Sequence, residues 1–243
     1  MAESITLNCD CMEYMKKVPD KFFDLAIVDP PYGMGIDSHK TNKRMKIVGG
    51  GKRPFGGKNN AKGGVKDSSC SSEFYPAFDD SSPPDAEYFR ELERISVHRI
   101  IWGGNFLLDY LGKTSCLIVW DKGRRGLDQA DCEMAWTDFK EQSRVFNYKW
   151  NGMLQEDMKH KEHRIHATQK PVALYSWLMQ RYAKAGYKIF DSHLGSGSSR
   201  IAAYELGLDF VGCELSEEIF RLQEERFAEY TAQTNIFIDG GMT

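Results

Sequence analysis

Asp24-Leu25-Ala26-Ile27-Val28-Asp29-Pro30-Pro31-Tyr32 is the stretch on which the reading of this chain turns. A short apolar run bounded by polar residues reads as a buried parallel strand. Open α/β sheets place their chemistry just beyond the carboxyl ends of such strands. The residues after Val28 set a carboxylate, two prolines that stiffen the backbone without N–H groups, and an aromatic face at one strand tip. A flat, amine-bearing ring is a natural guest for that set. Taken alone, the string also reads as an ordinary Pro-Pro turn after a strand. A second tip far down the chain bears on the choice.

That tip is Tyr187-Lys188-Ile189-Phe190-Asp191-Ser192-His193-Leu194-Gly195-Ser196-Gly197. A strand runs into a Gly-x-Gly turn, and residues 198–206 read as a helix closed by Gly207. Glycines there let the backbone approach a ligand and turn sharply. The next strand, Phe210-Val211-Gly212-Cys213, ends in Glu214. A carboxylate on the strand after a glycine turn is placed to accept hydrogen bonds from ribose hydroxyls. Arg200 stands where a dinucleotide fingerprint wants its third Gly or Ala. The site therefore suits a nucleoside without a pyrophosphate better than NAD.

Together these segments resemble the S-adenosylmethionine-dependent amino-group (adenine-N6 or cytosine-N4) DNA methyltransferases, in the β order where the catalytic motif precedes the cofactor motif. Asp29-Pro30-Pro31-Tyr32 resembles the catalytic D-P-P-Y. Asp191 to Gly197 resembles the cofactor motif D-x-F-x-G-x-G, with His193 in place of its aromatic residue. His166-Ala167-Thr168-Gln169-Lys170-Pro171 is similar to H-P-T-Q-K-P, with Ala167 as a departure; in the family this segment lies beside the methionine end of the cofactor. Trp102-Gly103-Gly104-Asn105 and Val119-Trp120-Asp121-Lys122 are also similar to segments of these enzymes, although Gly-Gly-Asn is an ordinary turn as well. The resemblance covers nearly the whole chain.

It implies an α/β, Rossmann-like methyltransferase fold: a mostly parallel central sheet with helices on both faces and a circularly permuted motif order. Residues 1–243 would form one catalytic domain with a basic insertion at about 36–80. A small target-recognition segment would occupy about 140–165. The implied catalytic residues are Asp29, Pro30, Pro31 and Tyr32. The implied cofactor contacts are Asp10, Thr168, Lys170, Asp191, His193, Gly195, Gly197 and Glu214. Asp10 would lie near the cofactor's adenine, or simply cap the helix that follows. Lys170 and Thr168 would hold the cofactor's carboxylate by charge and hydroxyl contact, and Thr168 could also cap the helix.

The chemistry needs no metal and no covalent enzyme intermediate. An exocyclic amine on a base delocalises its lone pair into the ring. Accepting hydrogen bonds from both N–H bonds holds the nitrogen nearer to tetrahedral and turns the lone pair towards the methyl donor. Asp29 would accept one and the Pro30 carbonyl the other. The target nitrogen pairs inside duplex DNA, so the base must flip out, and Tyr32 is placed to stack on it.

The chain carries 32 Lys/Arg against 35 Asp/Glu, a net charge of −3. From Ser38 to Lys66, however, there are nine basic residues and no acid, Lys40, Lys43, Arg44, Lys46, Lys52 and Arg53 among them. This glycine-rich stretch predicts a mobile loop that neutralises DNA phosphates. Its alternative is a solubilising insertion. The 41% hydrophobic content supports a core, no apolar run is long enough to span a membrane, and Met1 to Asp10 lacks a signal pattern. The six cysteines include no Cys-x-x-Cys pair, so they read as reduced thiols of a cytoplasmic protein; the resemblance implies a bacterial or phage-encoded one. His160, His163 and His166 recur every third residue among positive charges, which favours phosphate or base contact over a metal.

Adenine-N6 transfer is the leading expectation, since cytosine enzymes of the family more often carry Ser at the position of Asp29. Cytosine-N4 transfer is the alternative. A catalytically inactive nucleic-acid-binding protein of the same fold is a third, opposed by the intact Asp29, Tyr32, Gly195, Gly197 and Glu214. The recognition segment is short, and a homodimer would help to cover the DNA. A restriction-modification setting is part of the same resemblance.

Overall fold

A computed structural model describes residues 2–35, 75–76, 78–125, 130–151 and 154–239. The basic stretch at 38–66, with Lys40, Lys43, Arg44, Lys46, Lys52 and Arg53, lies outside the described residues.

The chain begins with β1 (Ser4–Asn8), α1 (Cys11–Met15) and β2 (Phe23–Val28). After the undescribed stretch come α2 (Ala86–Ile95), β3 (Ser96–Trp102), β4 (Leu117–Asp121) and β5 (Cys132–Thr137). β6 (Arg144–Asn147), β7 (Trp150–Asn151) and β8 (Leu154–Gln155) follow. The last third holds α3 (Val172–Tyr182), β9 (Lys188–Asp191), α4 (Ser198–Glu205), β10 (Asp209–Glu214) and α5 (Glu217–Asp239).

One eight-stranded sheet runs β1-β10-β9-β2-β3-β5-β4-β6. The first five strands are parallel, β5 runs antiparallel to both of its neighbours, and β6 lies parallel to β4. β2 is buried on both faces, as a central parallel strand must be. Leu25 and Ile27 join the apolar cluster under α3 and α4, while Phe23, Ala26 and Val28 join the cluster under α1 and α2. From β2 the chain moves outward to β3, and from β9 it moves the opposite way to β10. The β2/β9 boundary is therefore the sheet's topological switch point, where such folds open a crevice for ligands.

Two boundaries differ from the sequence expectation. The apolar spacing predicts a helix from Pro84 to Val97, but α2 ends at Ile95 and Ser96 already belongs to β3. Asp85 caps its start through the amides of Glu87 and Tyr88. The helix passes into the strand without a loop, so periodicity has no polar break to mark the change. The polar segment 140–165 reads as irregular, yet it supplies edge strand β6 and the β7/β8 pair. Its apolar anchors are few: Trp150 is buried in the core, and Phe146 of β6 packs on Trp177 at 5.2 Å. Among the described residues no helix is long and apolar enough to cross a membrane.

Candidate functional site

β2 delivers Asp29 to the switch point. Pro30 and Pro31 have no N–H to offer, and the next two amides, Tyr32 and Gly33, both donate to Asp80 Oδ1, at 2.6 and 3.1 Å. Asp80 is buried, so one carboxylate fixes the exit of the turn. The Tyr32 ring stacks on Phe106 at 5.4 Å and 20°. Its hydroxyl donates to Asp29 Oδ1.

Gly103, at φ +68, lies directly beneath the Tyr32 ring; a Cβ there would come within 2.1 Å of Cε1. No side chain fits that gap.

The other Asp29 oxygen pairs with Lys170 Nζ, whose side chain is 4% exposed. Lys170 Nζ also lies 3.3 Å from Glu133 Oε2 and 5.4 Å from the centre of the Trp102 ring. Glu133 Oε1 pairs in turn with Lys122. A chain of alternating charge thus runs Asp29–Lys170–Glu133–Lys122 through the protein. Burial pushes the Glu133 carboxyl up, but Lys170 and Lys122 outweigh it and hold it at about 2. Burial likewise opposes a charged Lys170, and Asp29 and Glu133 lift it above the ordinary lysine value. Burial and the Asp29 charge raise the Tyr32 hydroxyl well above its usual range, so it remains a donor.

The second tip stands beside the first. Leu25 and Ala26 of β2 register with Ile189 and Phe190 of β9, and paired strands lie about 4.8 Å apart. At the end of β9, Asp191 accepts from Ser199 Oγ at 2.6 Å and from the His193 amide at 3.1 Å. Burial pushes its carboxyl up to about 7, against those two hydrogen bonds, with the charges of Asp29 and Glu214 adding to the rise. His193 Nδ1 meets Ser192 Oγ at 2.8 Å, and Tyr88 caps the same hydroxyl at 2.7 Å. Burial lowers His193 to about 4, so the ring is neutral. Gly195 and Gly197 both have positive φ, and Gly197 forms the start of α4 in the left-handed region. The Gly195 amide donates to Glu214 Oε2 at 2.9 Å, while Ser216 N holds Oε1 at 2.9 Å. Burial raises the Glu214 carboxyl.

The remaining sequence candidates divide. Asp10 caps α1 through the Met12 amide at 2.8 Å. Thr168 Oγ1 bonds His166 Nδ1 at 3.0 Å. The histidine row diverges: His160 pairs with Asp157 at 2.8 Å in the open, whereas buried His166 packs against Phe78 at 4.9 Å. Burial holds His166 at about 4, uncharged.

Several residues escape sequence reading. Asp80 holds the turn after Pro31, and Glu133 meets Lys170 behind the β2 tip together with Lys122 of the Val119-Trp120-Asp121-Lys122 segment; of the two acids only Glu133 gives a signal, as the one acid inside the strand Cys132-Glu133-Met134-Ala135-Trp136. Arg226 of α5 is another. It donates to Ser196 O at 2.7 Å, to Ser198 Oγ at 3.0 Å and to Glu162 at 2.8 Å, so it braces the glycine turn against the 154–165 segment.

The sequence model of a family described as DNA methylase (N6/N4) matches residues 113–225. The type II methyltransferase M2.DpnII of Streptococcus pneumoniae is 24% identical over 251 residues, spanning 95% of this chain and 91% of that protein. Among solved structures, the M1.HpyAVI–SAM complex is 19% identical at TM-score 0.51, covering 93% of this chain and 100% of that one. The cytosine-N4-specific PvuII DNA methyltransferase is 9% identical at TM-score 0.57, covering 98% and 94%. Those two likenesses carry the fold.

Proposed function

We propose that this chain, an amino-group DNA methyltransferase by its family match and fold, methylates the exocyclic N6 amine of an adenine flipped out of duplex DNA. The observation that carries the reading is the convergence of Asp29 and the 191–197 turn at one switch point. S-adenosylmethionine, when bound, supplies a methyl group on a positively charged sulfur. The chain's residues fit that donor: the left-handed Gly195 and Gly197 let backbone come close, and Glu214 stands at the next strand tip for ribose hydroxyls. Asp10, Asp191, His193, Thr168 and Lys170 line the proposed cofactor side.

Asp29 and the Pro30 carbonyl accept the two amine N–H bonds. Asp29 Oδ1 exchanges the Tyr32 hydroxyl for the base, and the Tyr32 ring takes up the stack. A carboxylate is far too weak a base to deprotonate a neutral amine. Its work is orientation and charge stabilisation as the nitrogen becomes cationic. Lys170 Nζ is held by Asp29 and Glu133, so any hold on the cofactor's carboxylate comes with that pairing in place.

Asp at position 29 favours adenine over cytosine. The test is incubation with genomic DNA and S-adenosylmethionine, followed by mass spectrometry of the nucleosides and sequencing of modified bases. N6-methyladenine at a fixed motif supports the reading; N4-methylcytosine replaces it with the alternative. The nine positive charges between Ser38 and Lys66 would serve phosphate contact, making DNA affinity fall steeply with salt. A homodimer would extend the short recognition segment over the duplex.

Two further outcomes follow from the cofactor turn. Arg226→Ala should weaken S-adenosylmethionine binding about 10-fold in a calorimetric titration, because it frees a turn whose order sets affinity; unchanged affinity would remove Arg226 from the site.

Asp191→Asn should change the pH dependence of stability. Asp191 titrates near ~4 when unfolded and at about 7 when folded. Between those values the folded chain keeps a proton that the unfolded chain has lost. Its favourable contribution is thus fully present below the unfolded value and is lost as pH rises through the folded one. The melting temperature of Asp191→Asn relative to the parent should therefore be higher at pH 8 than at pH 5. A pH-independent difference would contradict the assignment.

A further inference from the structure

Glu133 sits on β5 and touches neither strand tip directly, yet it is the hub of the buried charges. It spans Lys170 at 3.3 Å and pairs with Lys122 on its other oxygen. A lone lysine buried against Asp29 would leave that pair electrically neutral, but a cation developing on the target nitrogen would then face Lys170 across a single carboxylate. With Glu133 behind it, Lys170 is shared between two anions, and Lys122 offsets the second.

We propose that Glu133 is a positioning residue for methyl transfer: it holds Lys170 against Asp29 and offsets the Lys170 charge, so that Asp29 presents its full negative character to the target amine. This rests on the methyltransferase reading above. In the step it serves, the nitrogen lone pair forms the N–CH3 bond while the S–CH3 bond breaks with its electron pair going to sulfur. The nitrogen carries the positive charge until its proton leaves to water. Glu133 remains ionised throughout and neither gives nor takes a proton.

Among the described residues, the charged and titratable groups facing this cluster are Asp29 and Tyr32 from the β2 tip, Lys122 and Arg124 after β4, Arg164 and His166 before Lys170, and Tyr175 of α3. His166 is neutral, and burial keeps Tyr175 protonated. The charge on Lys170 is thus set by Asp29 and Glu133 against burial. Removing Glu133 leaves burial less opposed, and Lys170 then loses its proton at lower pH.

The test uses the full-length protein and two readouts. The first is the titration of the Lys170 side chain by 13C NMR in the cofactor-free protein, assigned with Lys170→Met. In the parent it should titrate above the ordinary lysine value of ~10.4; a lower value would overturn the proposal without any variant. In Glu133→Gln it should move down, because burial is then opposed by Asp29 alone. The second readout is kinetic. Glu133→Gln should lower kcat at pH 8 about 100-fold, the scale of a misplaced catalytic group, with KM for S-adenosylmethionine little changed and the alkaline limb of the pH profile displaced to lower pH. Glu133→Gln with Lys122→Met removes one buried charge of each sign and carries the test if the single variant does not fold. It should show the same two changes, because Lys170 still lacks its second anion. A folded variant with parental kcat, or with an unmoved Lys170 titration, would overturn the proposal. A parent protein that transfers no methyl group, but in which Lys170 titrates as stated, would instead overturn the methyltransferase reading.

Discussion

Asp29→Ala should abolish methyl transfer, with a loss of about 1,000-fold or more in the single-turnover rate, while S-adenosylmethionine affinity stays within about threefold. Among the described residues the carboxylate is the one charged acceptor at the β2 tip, where Pro30 and Pro31 provide backbone alone and the Tyr32 hydroxyl donates to Asp29. Its removal also leaves Lys170 buried with Glu133 as its remaining anion, and breaking a buried pair in this way costs about 3–5 kcal/mol. Asp29→Asn separates the two effects. It preserves the shape and one acceptor, but it turns an amide towards Lys170 and removes the negative charge that meets the cationic nitrogen. Transfer should fall about 100-fold or more in Asp29→Asn, with less loss of melting temperature than in the alanine variant. Near-parental turnover by either folded variant would end the assignment of Asp29 to catalysis.

Gly103→Ala should damage DNA binding and turnover together, although Gly103 itself carries no side chain. Its φ of +68 lies in the left-handed region, which costs a residue with a Cβ about 1–2 kcal/mol. The added Cβ would also fall 2.1 Å from Tyr32 Cε1 and 2.4 Å from Cδ1. The ring must then leave both Phe106 and Asp29. Base stacking on an aromatic side chain contributes about 1–3 kcal/mol, so transfer should fall about 10- to 100-fold from the displaced ring alone. The loss should appear in DNA binding and turnover together. The emission of a 2-aminopurine placed at the target position would report it directly, because a base without its stacking partner stays bright. Parental fluorescence and turnover would show that Tyr32 has another resting place.

The sequence by itself determined the two strand tips, their order along the chain and the chemistry each can offer. Asp29-Pro30-Pro31-Tyr32 and Asp191 to Gly197 are contiguous strings whose meaning depends on local geometry: an apolar strand, a turn, and the residue types set there. The same locality made α4 and its Gly207 stop legible, because capping and periodicity act within a few residues. The extent of α2 and the strands in 140–165 were less legible, since their limits depend on which neighbours cover them.

Only the tertiary structure decided what surrounds Asp29. Lys170 is 141 residues away in sequence, Asp80 is 48 residues from the Tyr32 amide it holds, and Glu133 enters from an antiparallel strand on the other side of β3. Buried charge is compensated by proximity in space, and sequence order carries no record of which lysine will face which carboxylate. The resemblance gave Lys170 to the cofactor; the fold set it between two acids. The desolvation of an ammonium inside the sheet leaves it no stable alternative to a carboxylate partner.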